Sequence, residues 1–113
     1  MFIAIDGDEI GKQIELYLLS DDYEAAAKLS STIQNELQKI REYLEKSDCS
    51  IIFCGGDSIL AQAPPSFEMS MNILKHKNIT WSVGIGSSSS YATLALKKAK
   101  GLGRNRIEKF EVN

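Results

Sequence analysis

The stretch FCGGDSIL, residues 53–60, places two adjacent glycines and an acid between two apolar runs. Glycine tolerates the positive φ angles that tight hairpin turns require, so the pattern predicts a β-hairpin at Gly55-Gly56. Asp57 then lies at the edge of this hairpin, and the turn holds its carboxylate in place. Because a single Asp rarely holds a metal ion, a metal site at this hairpin requires a second acid from elsewhere in the chain.

The composition limits the classes of protein to which the chain can belong. Its 113 residues are 43% hydrophobic, which suits one domain over residues 1–113 with a single small core. A net charge of −2 provides no general basic surface, so direct nucleic-acid binding is not expected. No apolar run approaches the roughly 20 residues of a membrane span, and no leader peptide fits before Asp6, so we expect a cytoplasmic protein without membrane binding. Cys49 and Cys54 point to opposite faces of a predicted strand, so free thiols are expected.

The periodicity of apolar residues predicts alternating strands and helices. Strands are predicted at residues 2–5, 51–54, 59–61, 79–85 and 107–112. Helices are predicted at residues 9–19, at residues 66–77 and from the serine run to about residue 100, and a long helix is predicted after the N-cap candidates at residues 20–22. The long helix has an apolar stripe from Ala26 to Leu44 and a polar face, including Gln34 and Glu36, that is predicted to be solvated. The strand at residues 79–85 is predicted to be buried on one face. This order favours an α+β fold with a ferredoxin-like or palm core, in which a mainly antiparallel sheet of about five strands carries helices mostly on one face.

Asp6 is the second acid that this topology brings to Asp57. In a split β-α-β unit the strand after the hairpin inserts beside the first strand and runs antiparallel to it, so Asp6 and Asp57 lie at adjoining strand ends. Two adjacent carboxylates repel each other unless a cation lies between them. With a single histidine in the chain, oxygen ligands and therefore Mg²⁺ or Mn²⁺ are expected, with the Gly7 carbonyl as a further ligand. Asp8 is either an additional ligand or the cap of the following helix.

Basic residues and a helix N-terminus surround this predicted metal site. The helix that begins after Asp8 presents free amides and a positive dipole end, which suit a phosphate group. Lys100 and Arg104 lie four residues apart at the end of a later helix, with Lys97 one turn before them. Two roles are equally consistent with the position of Lys97: a contact with a phosphate, or a charge that complements the helix dipole. Together these features predict a binding site for a nucleoside triphosphate.

Four motifs, in this order, resemble those of the GGDEF-type diguanylate cyclases and of the palm domain in the large subunit of type III CRISPR complexes. They are IDGD at residues 5–8, GGD at residues 55–57, SVGIG at residues 82–86, and AK-x-x-GRNR at residues 99–106. The small size resembles best the minimal CRISPR polymerase family (mCpol), whose members are stand-alone palm cyclases linked to defence against phages. The resemblance covers nearly the whole chain.

The resemblance implies nucleotidyl transfer with two metal ions, Mg²⁺ or Mn²⁺, at each site. Asp6 and Asp57 match the metal-holding acids of these families, and Lys100 and Arg104 match the phosphate-binding pair. The turn formed by Gly7, Asp8, Glu9, Ile10 and Gly11 matches the loop whose amides hold the triphosphate, and Gly55 and Gly56 match the nucleotide-binding hairpin. Joining two nucleotides implies two facing sites and hence a homodimer. By family analogy we also expect an effector protein that senses the cyclic nucleotide.

Two residues depart from the family pattern. Ser58 stands where relatives carry an acid, and it ligates metals poorly. Ile14 stands near the position of the Asn that reads guanine in diguanylate cyclases, and it cannot form those hydrogen bonds. The mCpol resemblance therefore makes ATP the expected substrate rather than GTP, with a cyclic dinucleotide of the c-di-AMP type as the product.

Two other functions remain open from the sequence. Ser58 is the main argument for a degenerate palm domain that binds a nucleotide or a partner without catalysis. An RNA-binding ferredoxin-like module would require exposed aromatic residues and a basic face, for which the chain offers little. A haloacid-dehalogenase phosphatase would use Asp6 and Asp8, but the chain is too short for that fold.

Overall fold

The computed structural model describes residues 1–110, which form a five-stranded sheet with three α-helices and one short 3-10 helix. In chain order the elements are β1 (Phe2–Gly7), α1 (Ile10–Leu19), α2 (Tyr23–Lys46), β2 (Ser50–Gly55), β3 (Ser58–Gln62), the 3-10 helix (Met71–Leu74), β4 (Trp81–Gly86), α3 (Ser89–Gly101) and β5 (Ile107–Phe110). The strand order is β2-β3-β1-β4-β5, and only the β4–β5 pair is parallel. The structure therefore confirms the predicted α+β fold.

Strand β3 lies between β1 and β2, which is the insertion that the sequence predicted. Ile5 of β1 lies opposite Ile59 of β3 on one side and Val83 of β4 on the other. Because side chains alternate along a strand, these residues share one face of the sheet. They pack against the apolar stripe of α2 in the main core. This register also places Asp6 directly opposite Ser58.

The other face of the sheet is covered by α3. A Cβ atom at Gly84 would lie 2.2 Å from the backbone of Ala92 and Leu96, so the absence of a side chain lets α3 pack closely on β4. All six residues of β4 are buried, and the prediction that this strand is buried on one face only was wrong for this reason. Helices α1 and α2 lie on one face and α3 on the opposite face, so two of the three helices share a face.

The predicted helix at residues 66–77 is the largest error in the sequence-based assignment. Only the four residues Met71–Leu74 are helical, in a 3-10 conformation. Ser70 accepts a hydrogen bond from the amide of Asn72, and the amide of Phe67 donates to the carbonyl of Pro64. Such local bonds compete with an α-helix, and the segment contains three residues that favour turns, Ser66, Ser70 and Asn72. The apolar side chain of Leu74 is still buried, as the pattern predicted.

The bounds of the remaining elements agree with the predictions within two residues, and α2 begins directly after Asp22, one of the predicted N-cap residues. The prediction that Glu36 of α2 is solvated was wrong, because this side chain is buried and pairs with Lys39. The parallel edge strand β5 is observed to Phe110, and the rest of its predicted length lies outside the described residues. Both cysteines are free thiols, as predicted. None of the helices within residues 1–110 is long and apolar enough to cross a membrane.

Candidate metal and nucleotide site

Asp6 and Asp57 converge at one end of the sheet. The Ser58 hydroxyl donates to Asp6 Oδ1 at 2.5 Å and makes a longer contact of 3.5 Å with Asp57 Oδ1. The amide of Gly7 donates to the carbonyl oxygen of Asp57 at 2.9 Å, which joins the end of β1 to the hairpin turn. The two acids that the topology was expected to unite therefore share one hydroxyl donor.

The hairpin turn itself differs slightly from the predicted one. Gly55 is the last residue of β2 and pairs with Ser58, so Gly56 and Asp57 form the turn. Gly56 has a φ angle of 58°, which is the positive value that favours glycine. Asp57 is thus part of the turn rather than its edge. A Cβ atom at Gly7 would come within 2.8 Å of Ile10 and 3.3 Å of the Asp57 carboxylate, so the acid packs directly over bare backbone.

The two carboxylates and the Lys100 ammonium interact electrostatically at this site. Burial raises the pKa of the Asp57 carboxyl above its ordinary value, and the nearby charge of Asp6 raises it further. The Lys100 ammonium, which forms an ion pair with Asp6 Oδ2, offsets only part of this effect on the Asp57 pKa. Lys100 is therefore partly buried at the acids, where it pairs with Asp6 and lowers the pKa of Asp57.

Asp8 does not have the capping role that was one of its two predicted roles. Its side chain is buried and accepts hydrogen bonds from the Thr80 hydroxyl at 2.7 Å, the Ser82 hydroxyl at 2.6 Å and the amide of Asn105 at 3.0 Å. The N-cap of α1 is Glu9, which makes no side-chain capping bond, so Asp8 does not cap this helix. The carboxylate instead connects β1 to β4 and to the turn after α3.

The main-chain amides around α1 are only partly available to a phosphate. The amide of Gly7 donates to Asp57 and that of Asp8 donates to the Thr80 carbonyl. The amides at the first turn of α1, including those of Ile10 and Gly11, have no partner within the helix, as at any helix start. Within the predicted turn from Gly7 to Gly11, the amides of Ile10 and Gly11 are therefore the ones available to a phosphate. Glu9 enters the helix in the left-handed conformation, with a φ angle of 58°.

Arg104 and Lys97, the other two predicted phosphate-binding cations, differ in their surroundings. Arg104 lies in the turn after α3 with a φ angle of 67°, and its amide donates to the carbonyl of Ala99. Its Nε is buried without a hydrogen-bond partner among residues 1–110. Because the adjacent Asn105 amide is bound to Asp8, the buried carboxylate fixes the backbone that carries Arg104. Lys97 is exposed on α3, as a surface charge on the helix would be.

A cavity of about 250 Å³ opens beside Asp57, between α1 and α2. Its walls include the apolar side chains of Ile10, Ile14 and Ile33. The predicted site residues Gly11, Gly56 and Asp57 also line it. Two polar residues of α2, Ser30 and Gln34, belong to the lining as well, and the sequence did not assign them to the site. Their spacing of four residues beside the apolar stripe was the available signal, because it places both side chains on one side of α2. The cavity has the apolar walls and sparse polar groups that suit a flat ring.

The residues present fit a magnesium or manganese ion. Within residues 1–110 no group of three or more His, Cys, Asp or Glu side chains is arranged to hold a metal. Mg²⁺ is usually held by one or two protein carboxylates together with substrate phosphates and water, so Asp6 and Asp57 form a sufficient set. Burial and the neighbouring Asp6 raise the pKa of Asp57, and a bound cation would favour the ionised form of this carboxyl.

The fold and the site define an α+β domain with paired carboxylates at one end of its central strands and a cavity beside them. The chain belongs to the family of minimal CRISPR polymerase domains (mCpol), whose model matches residues 2–110. The family name indicates a polymerase-type enzyme with a CRISPR-associated role. A search of curated proteins found no match to the chain.

Proposed function

We propose that the chain is a metal-dependent nucleotidyltransferase that joins two nucleoside triphosphates into a cyclic dinucleotide and releases pyrophosphate. The observation that carries this proposal is the convergence of Asp6 and Asp57. Lys100 forms an ion pair with Asp6, and a cavity large enough for a flat ring opens beside Asp57. Membership in a polymerase-type family supports the same class of chemistry.

Asp6 and Asp57 are the proposed ligands of two Mg²⁺ or Mn²⁺ ions, with the Gly7 carbonyl as a further ligand. Bound ions of this kind lower the pKa of a ribose hydroxyl and neutralise charge on the phosphates. The Ser58 hydroxyl, bonded to Asp6 Oδ1, holds the Asp6 carboxylate in one orientation. Ser58 thus has a positioning role where relatives have an acid.

In each transfer a ribose hydroxyl oxygen forms a bond to the α-phosphorus of the other nucleotide. The bond from that phosphorus to the oxygen of the β-phosphate breaks, pyrophosphate leaves with its electron pair, and the hydroxyl proton passes to solvent. Two such transfers close the ring and release two pyrophosphates. Lys100, Arg104 and the free amides of the first turn of α1 are the proposed donors to the phosphates.

The cavity between α1 and α2 is the proposed base subsite, and ATP is the proposed substrate in preference to GTP. Ile10, Ile14 and Ile33 supply apolar surface for the ring, and Ser30 and Gln34 supply the polar groups. Ile14 cannot hydrogen-bond to a guanine edge, and the side-chain amide of Gln34 offers both a donor and an acceptor to an adenine edge.

Ring closure requires a second active site, so the proposed working form is a homodimer. The edge strand β2 supports this proposal because its residues Ile52 and Phe53 are 53% and 56% exposed. Paired apolar exposure on an unpaired strand edge suits burial against another chain. An effector that senses the cyclic dinucleotide, in defence against phages, completes the proposal.

The test is incubation of the chain with each of the four ribonucleoside triphosphates in Mg²⁺ or Mn²⁺, with products resolved by mass and by linkage-specific nucleases. We expect a cyclic dinucleotide with ATP, and none from the Asp6→Ala variant. The Glu68→Gln variant is the matched control, because Glu68 is an exposed acid outside the site. No nucleotide product from any triphosphate, with no effect of Asp6→Ala, would contradict the proposal.

A second candidate is a degenerate palm domain that binds a nucleotide or a protein partner without catalysis. Ser58 favours it, since this residue replaces an acid and leaves two carboxylates at the site. Under this candidate the chain binds ATP but forms no product, and Asp57→Ala leaves cellular function intact. The proposed cyclase instead requires that Asp57→Ala abolishes cellular function.

A further inference from the structure

A second, larger concavity lies on the side of α1 and α2 away from the paired acids. Its volume is about 610 Å³, within the range of small-molecule binding sites. Residues of α1, of α2 and of the segment before β4 form its lining, which consists of Gln13, Tyr17, Ala25, Lys28, Leu29, Thr32, His76, Lys77, Asn78 and Ile79. We name this concavity the basic cleft. It shares no lining residue with the cavity beside Asp57.

The basic cleft differs in charge from the chain as a whole. The chain carries 15 acidic and 13 basic residues, yet the cleft is lined by two lysines and the single histidine and by no acid. Lys28 and Lys77 take part in none of the ion pairs found within residues 1–110. His76 Nδ1 accepts a hydrogen bond from the amide of Asn78, which leaves its Nε2 as a donor. Cationic donors without acidic partners, gathered in one concavity, suit an anion.

The rest of the lining suits a planar ring rather than an anion alone. Tyr17, half-buried on α1, offers an aromatic surface, and Leu29 and Ile79 add apolar walls. Gln13 and Asn78 bring side-chain amides, each with both donors and an acceptor, to the same cleft. Bases stack on aromatic side chains irrespective of sequence, and amides recognise their edges.

We propose that the basic cleft is a second nucleotide-binding site, separate from the paired acids and independent of a metal ion. Lys28 and Lys77 bind the phosphate, and Tyr17 contacts the base. The proposal does not depend on the proposed cyclase activity, because it rests on a different set of residues and requires neither triphosphate nor divalent ion.

The experiment is a titration of the ¹⁵N-labelled chain with AMP in EDTA, followed by amide chemical shifts. We expect saturable shifts at Gln13, Tyr17, Lys28 and residues 76–79. Removal of one phosphate-binding cation costs about tenfold in affinity, so Lys28→Gln and Lys77→Gln are each expected to weaken AMP by that factor. The control is Lys46→Gln, an exposed lysine on the same helix as Lys28 but outside the cleft, which leaves the affinity unchanged.

Inorganic phosphate, titrated in parallel, separates a nucleotide site from a simple anion site. We expect it to shift Lys28 and Lys77 but to bind at least tenfold more weakly than AMP, because it cannot contact Tyr17. Equal affinity for phosphate and AMP overturns the nucleotide assignment. The proposal is also overturned if AMP shifts only residues around Asp57, shifts nothing, or binds the two cleft variants as tightly as the wild-type chain.

Discussion

The Ser58 hydroxyl lies directly across the β1–β3 ladder from Asp6 and donates to its Oδ1 at 2.5 Å. A residue that departs from the family pattern therefore restrains the carboxylate that the proposed metal site needs most. A hydrogen bond to a charged group contributes about 1.5–3 kcal/mol, so this contact is strong enough to decide the orientation of Asp6.

Removal of this hydroxyl is expected to weaken metal binding without loss of the fold. In Ser58→Ala the Asp6 carboxylate loses its donor, and we expect roughly tenfold weaker Mn²⁺ affinity, equivalent to about 1.4 kcal/mol. Paramagnetic resonance or calorimetric titration of Mn²⁺ measures this affinity. Ser31→Ala, at an exposed position of α2, is the control. Equal Mn²⁺ affinity in both variants would show that Ser58 does not position Asp6.

Asp57 is expected to destabilise the metal-free fold at neutral pH. Because its pKa is raised in the folded state, the folded chain is favoured when Asp57 is protonated, and that contribution is lost as the pH rises through the folded-state pKa. Asp57→Asn should therefore raise the melting temperature in EDTA at pH 7, by roughly 2–5 °C. The difference should close as the pH falls below the folded-state pKa.

The same variant gives an opposite result when metal is present. Saturating Mn²⁺ stabilises only a chain that binds it, so the wild-type chain should gain melting temperature and Asp57→Asn should not. The measurement is thermal unfolding followed by circular dichroism, in EDTA and in Mn²⁺. A lower melting temperature for Asp57→Asn in EDTA at pH 7 would refute the assigned electrostatics.

Asp8 is expected to act on stability rather than on metal affinity. Asp8→Ala leaves the Thr80 and Ser82 hydroxyls and the Asn105 amide without their buried acceptor. The Ser82 hydroxyl is buried, and the other two donors are partly buried. An unpaired buried donor costs about 1–3 kcal/mol, so we expect a total loss of roughly 3 kcal/mol in the free energy of unfolding. Urea unfolding measures it. A variant as stable as the wild-type chain but unable to bind Mn²⁺ would instead identify Asp8 as a ligand.

Gly84 is expected to be intolerant of any side chain. A Cβ atom there would lie 2.2 Å from the backbone of α3, which must move away from β4 to admit it. Gly84→Ala should therefore lower the free energy of unfolding by about 3 kcal/mol or more. It should also displace Lys100, which lies on α3. The control is Gly101→Ala, because a Cβ atom at this helical position meets nothing within 4 Å. It should be neutral or stabilising by up to about 1 kcal/mol, and equal unfolding free energies for the two variants would contradict the close packing of α3.

The convergence of Asp6 and Asp57 was predictable because it follows from strand order. Once β3 is inserted beside β1, the end of one strand must adjoin the start of the other, whatever the side chains do. The fold class was predictable for the same reason, since apolar periodicity sets the order of strands and helices.

Contacts that depend on distant pairing could not be predicted in this way. The Asp8 network joins residues more than 70 positions apart through Thr80 and Ser82, and only the register of β1 with β4 reveals that their hydroxyls meet Asp8. The position of α3 on the second face depends on Gly84, whose role appears only when a helix packs against it. Residues 66–77 show the converse, because local hydrogen bonds overrode an apolar spacing that resembled a helix.

The most direct test of the central claim is the yield of cyclic dinucleotide and pyrophosphate from ATP in the wild-type, Asp6→Asn and Asp57→Asn chains. These variants keep the size of each side chain but remove its charge. The account predicts two pyrophosphates for each cyclic dinucleotide from the wild-type chain, and a loss of at least a thousandfold in both variants. Glu68→Gln should retain full yield. Unchanged yield in either Asp variant, or no product from the wild-type chain with Mg²⁺ or Mn²⁺, would contradict it.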